Sequence, residues 1–193
     1  MTTPIDLAPA GDALLAIVTG VGDADLDLTT PCAGTTVAEL LQHLVGLSLA
    51  FQAAADKELG PLTDTSPDAD GWAALEPGWR ESLEAQVPAM VQAWRADDAW
   101  DGMTRAGGVD LPGQAAGMVA LDELVVHGWD LARATGQPYD LDDATAAACL
   151  EFVSGFDPAG TPGLFGPAVP VDDGAPVLDR LVARAGRDPG WGR

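Results

Sequence analysis

Positive charge is scarce in this sequence. Nine lysine and arginine residues face thirty aspartate and glutamate residues, which gives a formal net charge of −21. Such a surface repels phosphate backbones and anionic lipid head groups. We therefore expect neither nucleic acid nor a membrane among the partners, and small molecules remain as the expected ligands.

Cysteine and long apolar runs are also scarce. Cys32 and Cys149 are too few for a disulfide framework in a chain of 193 residues, and we predict both to be small buried hydrophobic residues. No apolar run reaches the length that spans a bilayer, and the N-terminal residues lack the features of a signal peptide. The sequence thus predicts a cytoplasmic protein.

The composition is that of a folded domain, with 47% hydrophobic and 20% charged residues. We find no repeat and no linker that would divide it, so residues 1–193 are predicted to form one domain. Apolar residues recur at helical spacing through most of the chain. The spacing predicts an all-α fold, a four-helix bundle with an extra C-terminal helical segment. The predicted helices cover residues 6–20, 37–57, 74–96, 113–135, 142–156 and 176–185.

Individual residues in the sequence indicate where these helices begin, kink or end. Thr36 and Glu39 have the spacing of a capping box at the start of the second helix. Pro88 is expected to kink or split the third helix. The segment 60–70 is predicted to be a loop, and a short hairpin with strand at 106–111 is expected before the fourth helix.

The sequence contains only two histidines, His43 and His127. His43 lies beside the apolar stripe of the second helix, and His127 lies in the fourth helix, which is apolar on nearly every side. Glu123 precedes His127 by four residues, so the two side chains share one helix face. Two imidazoles and one carboxylate suit Zn²⁺ with one open position, and also iron, nickel or manganese.

The same residues have a simpler interpretation. Glu123 and His127 could form an ordinary ion pair or hydrogen bond along the helix, and His43 could be a hydrogen-bonded core residue. Asp130, three residues after His127, could hold an imidazole N–H behind the metal, cap a neighbouring element, or pair with Arg133. The spacing alone leaves these alternatives open.

Three segments of the sequence are similar to a known family. They are TTPCAGTTVAELLQHLVG at 29–46, ALDELVVHGWDLARATG at 120–136 and FGPAVPVDDGAPVLDRLVARAGRDPGW at 165–191. Together they resemble the DinB-like metal-binding superfamily, in particular the small relatives of the metal-binding domain of mycothiol-dependent maleylpyruvate isomerase. The resemblance implies a four-helix bundle whose metal ligands are a histidine of the second helix and two residues of a later helix. Carried over to this sequence, these ligands are His43, Glu123 and His127.

The resemblance also implies a function. We expect a divalent-metal-binding protein, with Zn²⁺ as the first expectation, that uses a low-molecular-weight thiol such as mycothiol for S-transfer or isomerisation. The alternative is a non-catalytic metal-containing module that binds or senses a small molecule. The isomerase has a further C-terminal domain for which this sequence, ending at Arg193, leaves no room. The family's usual Gly-Trp is here Gly34-Thr35, so we do not expect maleylpyruvate as the substrate. A homodimer is left open.

Overall fold

The computed structural model describes residues 5–65 and 74–192, and its architecture is helical, as predicted. Within these residues, eight α-helices, one short 3-10 helix at Asp23–Asp25 and one two-stranded hairpin follow one another along the chain. The elements are α1 Ala8–Gly20, α2 Val37–Ala55, α3 Pro61–Asp64, α4 Trp79–Ala93, α5 Asp97–Trp100, β1 Met103–Ala106, β2 Val109–Pro112, α6 Gly113–Thr135, α7 Asp143–Ser154 and α8 Val177–Arg184.

Four of these helices, α1, α2, α4 and α6, pack side by side as the bundle. Their shared core includes fully buried leucines such as Leu14, Leu44, Leu83 and Leu124, one from each helix. The hairpin joins α5 to α6, and α7 and α8 pack against each other, with α7 also contacting α6. The all-α bundle with an additional C-terminal helical segment is therefore confirmed.

Local signals fix the ends of the two helices that carry the predicted site. At the start of α2, the Thr36 backbone N–H donates to the Glu39 carboxylate at 2.8 Å, and the Glu39 N–H donates to the Thr36 hydroxyl at 3.3 Å. At the end of α6, Gly136 adopts φ +68°, a left-handed conformation that glycine adopts without strain. These local interactions explain why the sequence predicted the start of α2 and the end of α6.

Two helices differ from the prediction near the segment that lies outside the described residues. The predicted loop 60–70 begins with the short helix α3, because Pro61 occupies its first position and the Gly60 N–H donates to the Thr63 hydroxyl at 3.0 Å. The helix α4 begins at Trp79 instead of 74, because Gly78 precedes it in a left-handed conformation with φ +82°. It continues through Pro88 as one helix. The prediction for 66–70 falls outside the described residues.

The hairpin is longer than the expected strand at 106–111. Strands β1 and β2 pair antiparallel with Met103 opposite Pro112 and Ala106 opposite Val109. Gly107 and Gly108 form the turn with φ +57° and +78°, the sign that a tight two-residue hairpin turn requires.

The helix α2 departs from the expectation that no segment could span a bilayer. Of the helices in residues 5–65 and 74–192, it is long and apolar enough to do so by length and composition. Half of this stretch is buried within the protein, as in the core helix of a soluble bundle. This feature is weak evidence for a membrane span.

Candidate metal centre

The structure brings together the three residues that the sequence singled out. His43 comes from α2, and Glu123 and His127 come from one face of α6. The Glu123 Oε2 atom lies 3.4 Å from His43 Nε2 and 2.9 Å from His127 Nε2. One ligand atom from each residue lies within 4.8 Å of the other two. The two imidazole rings meet edge to face with their centroids 5.2 Å apart.

These donor atoms fit a divalent metal ion in type and spacing. Bonds from Zn²⁺ to imidazole nitrogen and carboxylate oxygen measure about 2.0–2.2 Å, so neighbouring ligand atoms of a tetrahedral site lie about 3.3 Å apart. The observed separations of 3.4 Å and 2.9 Å are close to this value. Three protein ligands are also the number typical of zinc sites that keep one position open for chemistry.

Asp130 lies directly behind His127. Its fully buried carboxylate accepts a hydrogen bond from His127 Nδ1 at 3.0 Å, and this contact turns His127 Nε2 toward Glu123. The same carboxylate accepts hydrogen bonds from Arg187 Nη2 at 3.1 Å and Nε at 3.4 Å. Arg133, the alternative partner from sequence, instead donates to the Pro189 carbonyl at 2.6 Å. Asp130 therefore links an imidazole of the candidate site to a buried arginine.

Glu123 and His127 have displaced pKa values. Burial acts to raise the pKa of the Glu123 carboxyl, but hydrogen bonds from His127 and His43 outweigh it and hold that pKa well below its usual range. Burial acts to lower the pKa of His127, but its hydrogen bonds to Asp130 and Glu123 raise the pKa to about 10. Without a metal ion, the protonated His127 ring therefore lies between the Glu123 and Asp130 carboxylates. A metal cation bound to His127 and Glu123 could supply the positive charge in place of that proton.

A cavity of about 340 Å³ opens beside the three donor atoms. One part of its wall comes from the loop 31–33 and from α6, and another comes from α7, the segment 156–166 and the segment 185–187. The C-terminal residues that follow the bundle therefore help to enclose the candidate site.

The cysteines occupy different environments. Cys149 is fully buried in α7, as predicted, and burial raises the pKa of its thiol. Cys32 is only half-buried and lines the cavity, with its sulfur within 4.8 Å of ligand atoms on His127 and Asp130. The prediction that both cysteines are buried is therefore wrong for Cys32, because the loop 31–33 faces the cavity instead of the core.

Two ionisable residues at the cavity, Asp122 and Arg187, were not predicted from the sequence. Asp122 is 5% exposed, and its Oδ1 has no hydrogen-bond partner among the described residues. Burial, together with the charge of Glu123, raises the pKa of Asp122 to about 8. Arg187 is 8% exposed and lies 57 residues from Asp130. No local spacing connects Arg187 to the site, whereas Asp122 could have been noticed beside Glu123 in the most apolar helix.

Comparisons with known proteins agree with this fold. A family model described as the mycothiol maleylpyruvate isomerase N-terminal domain matches residues 7–132. Two proteins of Mycobacterium tuberculosis, Uncharacterized protein MT0763 and Uncharacterized protein Rv0738, are each 29% identical to this chain over 191 residues, which cover 92% of it and 93% of each relative. Two crystal structures of the mycothiol-dependent maleylpyruvate isomerase, one of a histidine-to-alanine mutant, share 19% identity with the chain. Their superpositions on this chain have TM-scores of 0.59 and 0.58. Each superposition covers 77% of this chain and 68% of the isomerase chain, and this similarity shows the fold.

Proposed function

The chain belongs to the family of the mycothiol maleylpyruvate isomerase N-terminal domain, as its sequence segments predicted, and we propose that it is a divalent-metal-binding enzyme that uses a low-molecular-weight thiol. The observation that carries the proposal is the convergence of His43, Glu123 and His127 on one wall of a cavity. We further propose that the protein acts in the cytoplasm, where small thiols are kept reduced.

The three residues would each have a defined part in holding the ion. His43 and His127 would ligate through Nε2 and Glu123 through Oε2, since these atoms face one another. Asp130 would keep His127 in the ring orientation that ligation needs, because it accepts the hydrogen bond from Nδ1. Zn²⁺ suits this ligand set best, and Ni²⁺, Fe²⁺ and Mn²⁺ are the alternatives that metal analysis would distinguish.

The thiol supplies the second part of the proposal. A divalent ion in the site would favour the thiolate form of a coordinated thiol. In S-transfer, the thiol sulfur would bond to an electrophilic carbon with its lone pair, the thiol proton would pass to solvent, and the leaving group would depart with its electron pair. In isomerisation, the sulfur would add to a conjugated double bond, and after rotation about the resulting single bond it would leave again, which regenerates the thiol.

Metal content tests the first part. The purified protein should hold about one divalent ion per chain, and His43→Ala and His127→Ala should each lose most of it because each removes one of three ligands. Glu123→Gln, which removes the charge of the third ligand, should also lose metal. Glu58→Gln is its matched control, since Glu58 is exposed and does not line the cavity. Full metal retention in the double histidine variant would disprove the proposed ligand set.

Cobalt substitution tests the second part. A small thiol added to the Co²⁺-protein should produce a sulfur-to-metal charge-transfer band, which the His43→Ala protein should lack. A non-catalytic binding module is the second candidate, because Asp130 and Arg187 are paired with each other and so are not available to donate or accept a proton in a reaction. Conversion of an electrophile in the presence of the thiol, with the thiol consumed in S-transfer or recovered in isomerisation, would favour the enzyme. Stable binding of both, with neither one converted, would favour the module.

A further inference from the structure

An aromatic wall lines the cavity that contains the candidate ligands. It consists of Phe152 on α7 and of Phe156 and Phe165 in the segment that follows. The rings of Phe152 and Phe156 meet edge to face with centroids 5.2 Å apart, and those of Phe156 and Phe165 at 5.1 Å. All three side chains are half-buried, so each keeps apolar surface that the protein itself does not cover. Apolar and aromatic surface of this kind is typical of small-molecule sites.

The remaining apolar side chains of the cavity extend this surface. Val119 and Val126 line it from α6, the same helix that carries Glu123 and His127. Leu164, which is 46% exposed, lines it beside Phe165. An apolar group placed next to the donor atoms would therefore be in contact with apolar side chains from two parts of the chain.

No lysine or arginine among the described residues that line the cavity is free to bind an anionic substrate. Among the described residues that line it, Arg187 is the only lysine or arginine, and its charge is matched by the Asp130 carboxylate at 3.1 Å. The two charges of a bound divalent ion would be matched by Glu123 and one thiolate. Asp122 adds a further acidic group and no positive charge.

We propose that the substrate of this site is an uncharged electrophile with an apolar, aromatic group that packs against the aromatic wall while the reacting carbon faces the thiol. This inference rests on the proposed function and names its substrate class. A dicarboxylate such as maleylpyruvate would bring two negative charges into a cavity that has no free positive charge, at a high desolvation cost. The aromatic wall lies beyond residues 7–132, which match the family model, so the predicted selectivity belongs to the C-terminal part of this chain.

Small thiols can probe the cavity through the metal itself. We would titrate the Co²⁺-protein at one fixed pH with phenylmethanethiol, 2-mercaptoethanol and 2-mercaptoethanesulfonate, and obtain each Kd from the charge-transfer band. Each thiol places its sulfur on the metal, and only the first places an aromatic ring where the electrophile would lie. Phenylmethanethiol should bind at least about tenfold more tightly than 2-mercaptoethanol, because burial of a phenyl group is worth about that factor. The sulfonate should bind most weakly of the three.

Variants of the wall make the test specific. Phe156→Ala should remove most of the preference for phenylmethanethiol, and Phe156→Leu should keep part of it if the alanine variant does not fold. Leu62→Ala is the matched control, since Leu62 is an apolar side chain on α3 that is 50% exposed and does not line the cavity. It should leave all three Kd values unchanged.

The possible failures are distinguishable. If no thiol produces the band, the proposed thiol chemistry is wrong and this inference falls with it. If all three thiols produce the band but the sulfonate binds as tightly as phenylmethanethiol, the thiol chemistry stands and the inference is overturned. An unchanged preference in a folded Phe156 variant would also overturn it, because the aromatic wall would then have no part in selection.

Discussion

Substitution of Asp130 by asparagine should weaken metal binding and destabilise the metal-free protein at the same time. The fully buried carboxylate contacts His127 Nδ1 at 3.0 Å and Arg187 Nη2 at 3.1 Å. Asparagine keeps the shape of the side chain and removes its charge. The sequence leaves a role behind the metal and a role in the fold as alternatives for Asp130. We propose that it has both roles, because its carboxylate contacts both His127 and Arg187.

The two effects have separate magnitudes. Loss of a carboxylate that supports a ligating imidazole typically costs about 10–100-fold in metal affinity. Loss of the partner of a buried arginine leaves an uncompensated charge and costs about 3–5 kcal/mol of folding free energy. Arg187 is 8% exposed, so water screens that charge only slightly. The second effect should therefore appear without any metal.

A double-mutant cycle separates these effects. Asp130→Asn, Arg187→Gln and the double variant would be compared by denaturant unfolding of the metal-free proteins and by competition with a chromophoric chelator. The double variant should recover stability relative to Asp130→Asn, because no buried charge is then left alone, but its metal affinity should stay low. Asp173→Asn is the matched control, since Asp173 is exposed and does not line the cavity. An Asp130→Asn protein with unchanged stability and unchanged metal affinity would refute this reasoning.

Three further predictions concern the turn at Gly186, the protonation of His127 and the effect of a chelator. Gly186→Ala should cost about 1–3 kcal/mol of unfolding free energy, because Gly186 has φ +86° and a Cβ there would lie 2.8 Å from the Gly166 backbone. Gly192→Ala, with φ +72° and no atom within 4 Å, should cost less, and equal losses would contradict the close contact. Metal binding at pH 8 should release about one proton, because the His127 pKa of about 10 keeps the ring protonated at that pH and a ligating imidazole must be neutral. The affinity for metal should therefore rise with pH up to about 10. Calorimetry in buffers of different protonation enthalpy measures this release, and zero protons would disprove it. A chelator should lower the Tm of the metal-loaded protein and leave that of the His43→Ala protein unaffected. The corresponding loss in unfolding free energy is about 2.7 kcal/mol if the free metal was at 100 times its Kd. An equal drop in Tm for both proteins would contradict ligation by His43.

The helices that carry the candidate ligands could be predicted because their signals are local. The capping box of Thr36 and Glu39 marks the start of α2, and the left-handed Gly136 ends α6. The spacing of Glu123 and His127 then places both side chains on one face. Only the approach of His43 to that face, across 80 residues of sequence, needed the family resemblance or the structure.

The cavity around those ligands could not be predicted, because the residues that line it follow no regular spacing in the sequence. Phe156 and Phe165 lie in irregular segments between α7 and α8, where no helical spacing marks them as a surface. Arg187 follows α8 and the turn at Gly186, whereas its partner Asp130 lies in α6. Contacts of this kind depend on how the C-terminal segment folds back on the bundle, and the sequence pattern carries no signal for that.

The C-terminal segment therefore affects the candidate site in two ways that have different consequences. Through Arg187 and Asp130 it acts on the orientation of His127, and through Phe156 and Phe165 it shapes the space beside the ligands. A change at Gly186 shifts both parts, because this glycine contacts Gly166 next to the aromatic wall and precedes Arg187 in the chain. Such a change should alter metal affinity and ligand preference together. A change in one phenylalanine ring alters the wall but leaves the Arg187–Asp130 pair in place, and so it should alter ligand preference alone.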